Sequence, residues 1–464
     1  MRSTLLLLAA FQTKPAAAPE VRVDARIELV SIVFRLAGHS EFNQESSDSP
    51  YAREVKERFG RFAGHPAVER AADLRKERGV SFDAVPSLAV HLVDAESFAE
   101  RVPFDAPPAR LDARWSAEEA RAFVGLLRAF SRESGFPEFF AAHAGLYRKT
   151  EERLRALLAA RLDVGWFDAF FGAKPGATFR VIPGLLFGGC NYGVGVRLPD
   201  GREEVLPSIG CWKWDGEGVP LFGEEVLPTV VHEFSHSYAN PLVDLHAEAL
   251  ERSGERIFPT VSAVMRPQAY GTWRAVLYES LVRASVVRYL TAHEGKGAAA
   301  KEVDEDGKRG FAWVGDLAAL LAEYERDRKA YPDLDAFAPR LVAFFEALAE
   351  RSEKVAADAP KVVRTTPAGG ASGIPADLGS IVVEFDRPMQ TGGYAVTGGG
   401  EEFPEIDRSR AAGFDDSGKI FTLPVKLRPG RRYRFGLNGA SHRGFQSREG
   451  VPLVPLDVTF ATAE

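Results

Sequence analysis

The sequence predicts an α+β protein: a mostly helical body carrying one small β-sheet, followed by a small β-sandwich. Apolar residues recur at helical spacing through residues 25–172 and again through 228–356. The period switches to two between Thr178 and Trp214, and from about Pro360 the chain is rich in Gly, Pro and short β runs. At 464 residues, 45% of them hydrophobic, the chain is too long for one ordinary core and is expected to form two or three domains.

Met1-Arg2, the apolar stretch Leu5 to Phe11 and Ala16-Ala17-Ala18 stand in the order of a secretory signal peptide. Residues 1–18 are therefore expected to be a leader and the protein to be exported, periplasmic or extracellular. No later stretch approaches the roughly 18 apolar residues of a membrane span. With 58 basic and 65 acidic residues the formal charge is −7, which excludes a nucleic-acid binder that depends on a basic surface.

In the first helical region, Ser116 and Glu119 have capping-box spacing ahead of Ala120, Phe123, Leu127 and Phe130, and a second amphipathic run extends from Pro137 to about Leu162. In the β region, Asp200-Gly201 suits a two-residue hairpin turn. That turn pairs Tyr192 with Ile209, Val194 with Pro207 and Val196 with Val205, and sets Cys190 opposite Cys211 in a non-hydrogen-bonded pair at disulfide distance. In an exported protein the two thiols are expected to be bridged. Two cysteines exclude a disulfide scaffold, a four-cysteine iron–sulfur cluster and a zinc ribbon.

Helices are expected at about Pro228–Ala239, Pro241–Arg252, Gln268–Leu290, Phe311–Tyr324 and Leu334–Ala356. A domain boundary near Ala357 gives a body over 19–357 and a sandwich over 358–464, the latter with strands such as Ile381 to Phe385 and Arg432 to Gly436.

The sharpest motif is His232-Glu233-Phe234-Ser235-His236. On a helix opened by Pro228 and closed by Asn240-Pro241, its histidines lie about 40° apart around the axis, so both imidazoles reach one ion. Glu233, rotated by about 100° from His232, is placed to take a proton from water activated by that ion. With 9 histidines in the chain, chance supplies only about 0.02 such motifs. The competing reading is a pair of core histidines beside a surface glutamate.

A catalytic zinc needs a third protein ligand and an open position. Ala239 and Leu242 stand where the metzincin pattern needs Gly and His, which excludes that class. Glu279 is the only acid between Ala269 and Ala292, on an otherwise apolar helix, and is the expected ligand, with Asp244 as runner-up. Arg283, one turn on, is expected to support Glu279 or to meet a substrate carboxylate; the alternative is a simple helix salt bridge. Tyr192, Tyr238, Tyr270 and Tyr278 are unranked candidates for stabilising an oxyanion. The glycines of Gly188-Gly189 and Gly193-Val194-Gly195 fit either a bent strand or a strand edge approached by an extended substrate.

These residues resemble the gluzincin metallopeptidases, in which two histidines of the helix motif and a glutamate on a later helix hold zinc. The run from His232 to Val243 is similar to the active-site helix of M1-type aminopeptidases, and Glu279-Ser280-Leu281-Val282-Arg283-Ala284 is similar to their second helix. The offset of 43 positions from His236 to Glu279 exceeds the aminopeptidase spacing, and no Gly-x-Met-x-Asn segment is present, so aminopeptidase specificity is not implied. A closer resemblance spans roughly residues 22–355. Glu28-Leu29-Val30-Ser31-Ile32, Leu36-Ala37-Gly38, Tyr51, Phe59, His65-Pro66-Ala67-Val68 and the metal-motif helix look like an uncharacterised bacterial family, domain of unknown function 4932. That resemblance implies a zincin-like fold. Thr366-Pro367-Ala368-Gly369 and Phe385-Asp386-Arg387-Pro388-Met389 are similar to bacterial Ig-like modules of exported and surface proteins, a character that would suit a cell-surface ligand.

The expectation is a zinc metallopeptidase with one zinc per chain on His232, His236 and Glu279, Glu233 as general base, and a peptide or protein substrate. The alternatives are a non-enzymatic exported binding protein with a degenerate peptidase domain, and a zinc hydrolase of a non-peptide amide or ester.

Overall fold

In the computed structural model, which describes residues 19–44, 48–105, 111–173, 177–439 and 441–464, side-chain caps decide where the early helices begin. After a short strand β1 (Glu20–Val21), the Asp24 carboxylate accepts from the Arg26 N–H at 2.9 Å and opens α1 (Ala25–Leu36). Ser49 does the same for α2 (Pro50–Phe59), where Pro50 lacks only a donor that a helix start leaves unbonded anyway. Then come α3 (Pro66–Arg78) and α4 (Ala84–Val90). The expected capping box opens α5 (Ala117–Ser134): the Glu119 N–H meets Ser116 Oγ at 3.2 Å while the Glu119 carboxylate takes the Ser116 N–H at 3.4 Å.

The run expected from Pro137 to Leu162 is two helices, α6 (Phe136–Ala142) and α7 (Ala144–Arg161). His143 breaks it, because its Nδ1 takes the Phe139 carbonyl at 2.8 Å, the acceptor its own amide would use in a continuing helix. A further helix, α8 (Val164–Phe171), leads into the sheet. The leader expected over 1–18 lies outside the described residues.

The sheet strands are β2 (Ala177–Gly184), β3 (Asn191–Arg197) and β4 (Glu203–Gly210), in the order β1-β2-β4-β3, with β3 antiparallel to β4 at the edge. The hairpin is there, but its register differs from the expected one by a residue: Tyr192 opposes Ser208 and Val194 opposes Leu206. Leu198 pairs with Arg202 around a three-residue loop in which only Gly201 has positive φ, 84°. Pro199, fixed near φ −65°, suits the first corner of a type I turn closed by a left-handed glycine, whereas a two-residue primed turn would need Asp200 left-handed as well. The slip overturns the disulfide. The pairing ends at Asn191 opposite Ile209, so Cys190 is not brought opposite Cys211 by the ladder, and Cys190 and Cys211 are free thiols.

Next is α9 (Val226–Leu245), which was expected to end at Asn240-Pro241 but continues through Pro241. Proline there removes one donor, and the remaining turn supplies its own bonds up to His246 N–H on the Leu242 carbonyl at 3.2 Å. Accordingly α10 (Ala247–Met265) starts at Ala247 rather than Pro241, and it too runs through a proline, Pro259. Thr272 caps α11 (Trp273–His293). An unexpected helix, α12 (Lys296–Lys308), precedes α13 (Val314–Arg326) and α14 (Ala338–Asp358).

Strand follows helix between Asp358 and Val362. One sheet takes β5 (Val362–Thr366), β6 (Ser380–Phe385), β8 (Glu405–Ile406), β9 (Gly413–Phe414) and β10 (Ile420–Lys426); the other takes β7 (Val396–Thr397), β11 (Arg432–Leu437) and β12 (Leu456–Ala461). Ile381, Val383, Phe421 and Leu423 of the first sheet share a buried cluster with Phe435, Val458 and Phe460 of the second, as in a sandwich.

The chain divides into two compact units, one comprising residues up to Asn240 with Pro332–Leu334, the other Pro241–Tyr331 with Asp335–Glu464. The first is organised on a core in which Ile27, Phe34, Phe42, Phe123, Phe130, Phe187 and Val194 are buried together. In the second, α10 packs on α14, and α11 on both α12 and α13. Among the described residues no helix is long and apolar enough to cross a membrane.

Candidate metal centre

One side of α9 is anchored by aromatic rings. Phe234, fully buried, stacks on Phe179 with ring centres 5.2 Å apart and packs on Phe167 at 5.3 Å. Tyr238, one turn on, stacks on Phe171 at 5.1 Å and donates its hydroxyl to Asp168 at 2.8 Å. This packing fixes the helix rotation, so the residues at 232, 233 and 236 are presented elsewhere on its circumference.

The imidazoles of His232 and His236 converge, with their Nε2 atoms 3.1 Å apart. Four-coordinate zinc with bonds of about 2.0–2.1 Å holds adjacent ligand atoms roughly 3.3 Å apart, so this spacing suits two ligands of one ion. His236 Nδ1 lies 3.1 Å from Asn240 Oδ1. An amide oxygen only accepts, so Nδ1 carries the proton and Nε2 keeps its lone pair for a metal. The two histidines and Glu279 offer three ligand atoms within 4.8 Å of one another, the one such group among the described residues.

Glu233 is buried, and its neighbour is the edge strand. A methyl group placed on Gly193 would lie 3.1 Å from both the Glu233 carbonyl and its Oε2, and 3.3 Å from His236 Cβ. Glycine is what lets the backbone of β3 come this close while remaining exposed. The Gly-rich segment thus brings a glycine of β3 beside the motif.

Glu279 is buried on α11, and Arg283 is equally buried. The Arg283 guanidinium meets the Glu279 carboxylate at 2.9 Å, Asp306 at 2.6 Å and the Tyr270 hydroxyl at 3.1 Å, and lies 4.6 Å over the Phe311 ring. Burial opposes its charge, but Glu279, Tyr270 and Asp306 together hold it firmly protonated. Asp244 stands apart from the triad, accepting from Tyr278 and pairing with Arg274 at 3.7 Å. Of the four tyrosines, Tyr270 has its hydroxyl beside a triad carboxylate; burial and the Glu279 charge push its pKa up. Tyr192 is buried near Cys190, whose Sγ accepts from Gln44 at 2.8 Å.

Asp306 is the site residue that sequence reasoning missed. It ends an Asp304-Glu305-Asp306 run that has the look of a solvated face, with nothing to single out one carboxylate. Residues 20–344 match a family described as Domain of unknown function (DUF4932). No curated protein matches the chain.

Proposed function

Since the chain belongs to the DUF4932 family, whose description assigns no chemistry, we propose its function from its own residues: a zinc-dependent hydrolase of the gluzincin type, acting on peptide bonds. The observation that carries this reading is the convergence of His232, His236 and Glu279 within 4.8 Å, next in sequence to the buried Glu233. Two imidazoles and one carboxylate form a donor set that suits catalytic zinc and leaves one position for substrate or water. Bound zinc supplies a Lewis acid that polarises a carbonyl and acidifies water. Glu233 then takes the proton from the attacking water and returns it to the leaving amine. Asn240 holds the His236 tautomer, and Arg283 holds the Glu279 carboxylate.

A peptide substrate is favoured by the strand beside Glu233. Among the described residues no strand pairs with the outer side of β3, where an extended chain could add as a strand, and Gly193 has no side chain to keep that chain off. The C-terminal sandwich is read as an Ig-like module and the protein as exported.

The test is metal analysis and a peptide-library screen on wild type and Glu233→Gln. The wild type should hold about one zinc per chain and cleave peptides in a chelator-sensitive manner. Glu233→Gln should keep the zinc and lose about 10²–10⁴-fold in rate. Zinc-free wild type after reconstitution, or undiminished cleavage by the variant, sinks the proposal; activity confined to non-peptide amides or esters corrects the substrate.

A further inference from the structure

Asp306 on α12 takes no part in the triad, yet its side chain is fully buried. One oxygen, Oδ1, accepts from Arg283 Nη1 at 2.6 Å and from Arg309 Nη1 at 3.3 Å. The other, Oδ2, is buried without a hydrogen-bond partner. A buried carboxylate left half satisfied opposes folding, and a buried ion pair seldom stabilises more than an apolar pair of the same shape. Stability alone is a poor reason for Asp306.

Its geometry supplies a better one. Arg283 is a rigid planar fork, and Asp306 holds one prong. The Phe311 ring lies beneath the guanidinium plane, and the second prong donates to the Tyr270 hydroxyl at 3.1 Å while forming an ion pair with Glu279 Oε2 at 2.9 Å. With one end fixed and the plane fixed, the guanidinium can present its second amino group in only one direction. We propose that Asp306 is a positioning residue of the metal centre: acting through Arg283, it locks the Glu279 carboxylate in the orientation that ligates. This rests on the zinc reading above. It also gives α12 a role, since that helix carries the anchor for a ligand on α11.

The experiment is a double-mutant cycle in zinc affinity, measured on the full chain by competition with a chromophoric chelator, with circular dichroism to confirm folding. Asp306→Asn should weaken zinc by about 10–100-fold in the wild-type background. In the Glu279→Ala background it should weaken zinc less than about 2-fold, because the route through Glu279 is already gone. Equal losses in both backgrounds mean a general structural role and overturn the proposal, as does an Asp306→Asn protein that binds zinc like wild type. Should Asp306→Asn not fold, the paired Arg283→Met and Asp306→Leu variant removes both charges and keeps apolar packing. It should show the same 10–100-fold loss, and wild-type affinity there overturns the proposal. Wild type that binds no zinc overturns the metal reading, and this inference with it; wild-type binding with unchanged variants overturns this inference alone.

Discussion

At Gly193 a single added carbon would crowd the candidate site. A β-carbon there must displace the Glu233 carboxylate, its carbonyl or the His236 side chain, all within 3.3 Å. On the proposed zinc reading, the ligands can stay converged while Glu233 moves, so Gly193→Ala is expected to retain zinc and lose about 10–100-fold in kcat/KM. Parallel metal analysis and peptide cleavage assays check this; loss of zinc together with activity would mean that the ligands, not the base, had been pushed aside. At this scale the sequence was most informative where chemistry and spacing coincide. His232, Glu233 and His236 stand out because histidines are rare in the chain, and Glu279 because its helix is otherwise apolar. Asp306 carries no such contrast, and its burial is a property of the packed helices alone.

The helices and strands were legible wherever a local interaction sets the boundary. The Ser116 cap is read from four residues and forms as expected; Ser116→Ala should lower stability in urea denaturation by about 1 kcal/mol, and an unchanged midpoint would show the cap to be redundant. Boundaries set by competition were harder to read. At His143 a side chain outbids the backbone for the Phe139 carbonyl, and at Pro241 the helix tolerates a missing donor, so one helix was expected where two exist and an end where none does. The hairpin failed for a similar reason. Asp200-Gly201 favours two turn types, and Pro199 chooses between them.

At the scale of the whole molecule, one buried acid links the fold of the first unit to pH. The Glu28 carboxylate on α1 is fully buried, accepts from the Tyr51 hydroxyl at 2.8 Å and the Leu185 N–H at 3.1 Å, and burial pushes its pKa up to about 7. Between its ordinary value of 4.5 and about 7 the folded state holds a proton that the unfolded state has lost. Stability is therefore highest below that window and falls as pH rises through it, by roughly 3 kcal/mol at about 1.4 kcal/mol per unit. Denaturant melts at pH 5 and pH 8 should show wild type losing stability relative to Glu28→Gln; parallel changes in both proteins would clear Glu28 of the effect. The α+β class was legible because periodicity is local and repeated, whereas the two compact units depend on contacts between residues far apart in the chain.

The three-residue loop at Pro199-Asp200-Gly201 has one more consequence, for how such a chain can vary. Its residues are at the surface, remote in sequence from the metal motif, and exchanges that keep the turn should be neutral. A change of length is another matter. A length change that slid β3 against β4 by one place would turn every side chain of β3 to the opposite face. Tyr192 or Val194 would then press on Glu233 where Gly193 now lies. The loop is thus constrained in composition at Pro199 and Gly201, and in length by the register that it must keep.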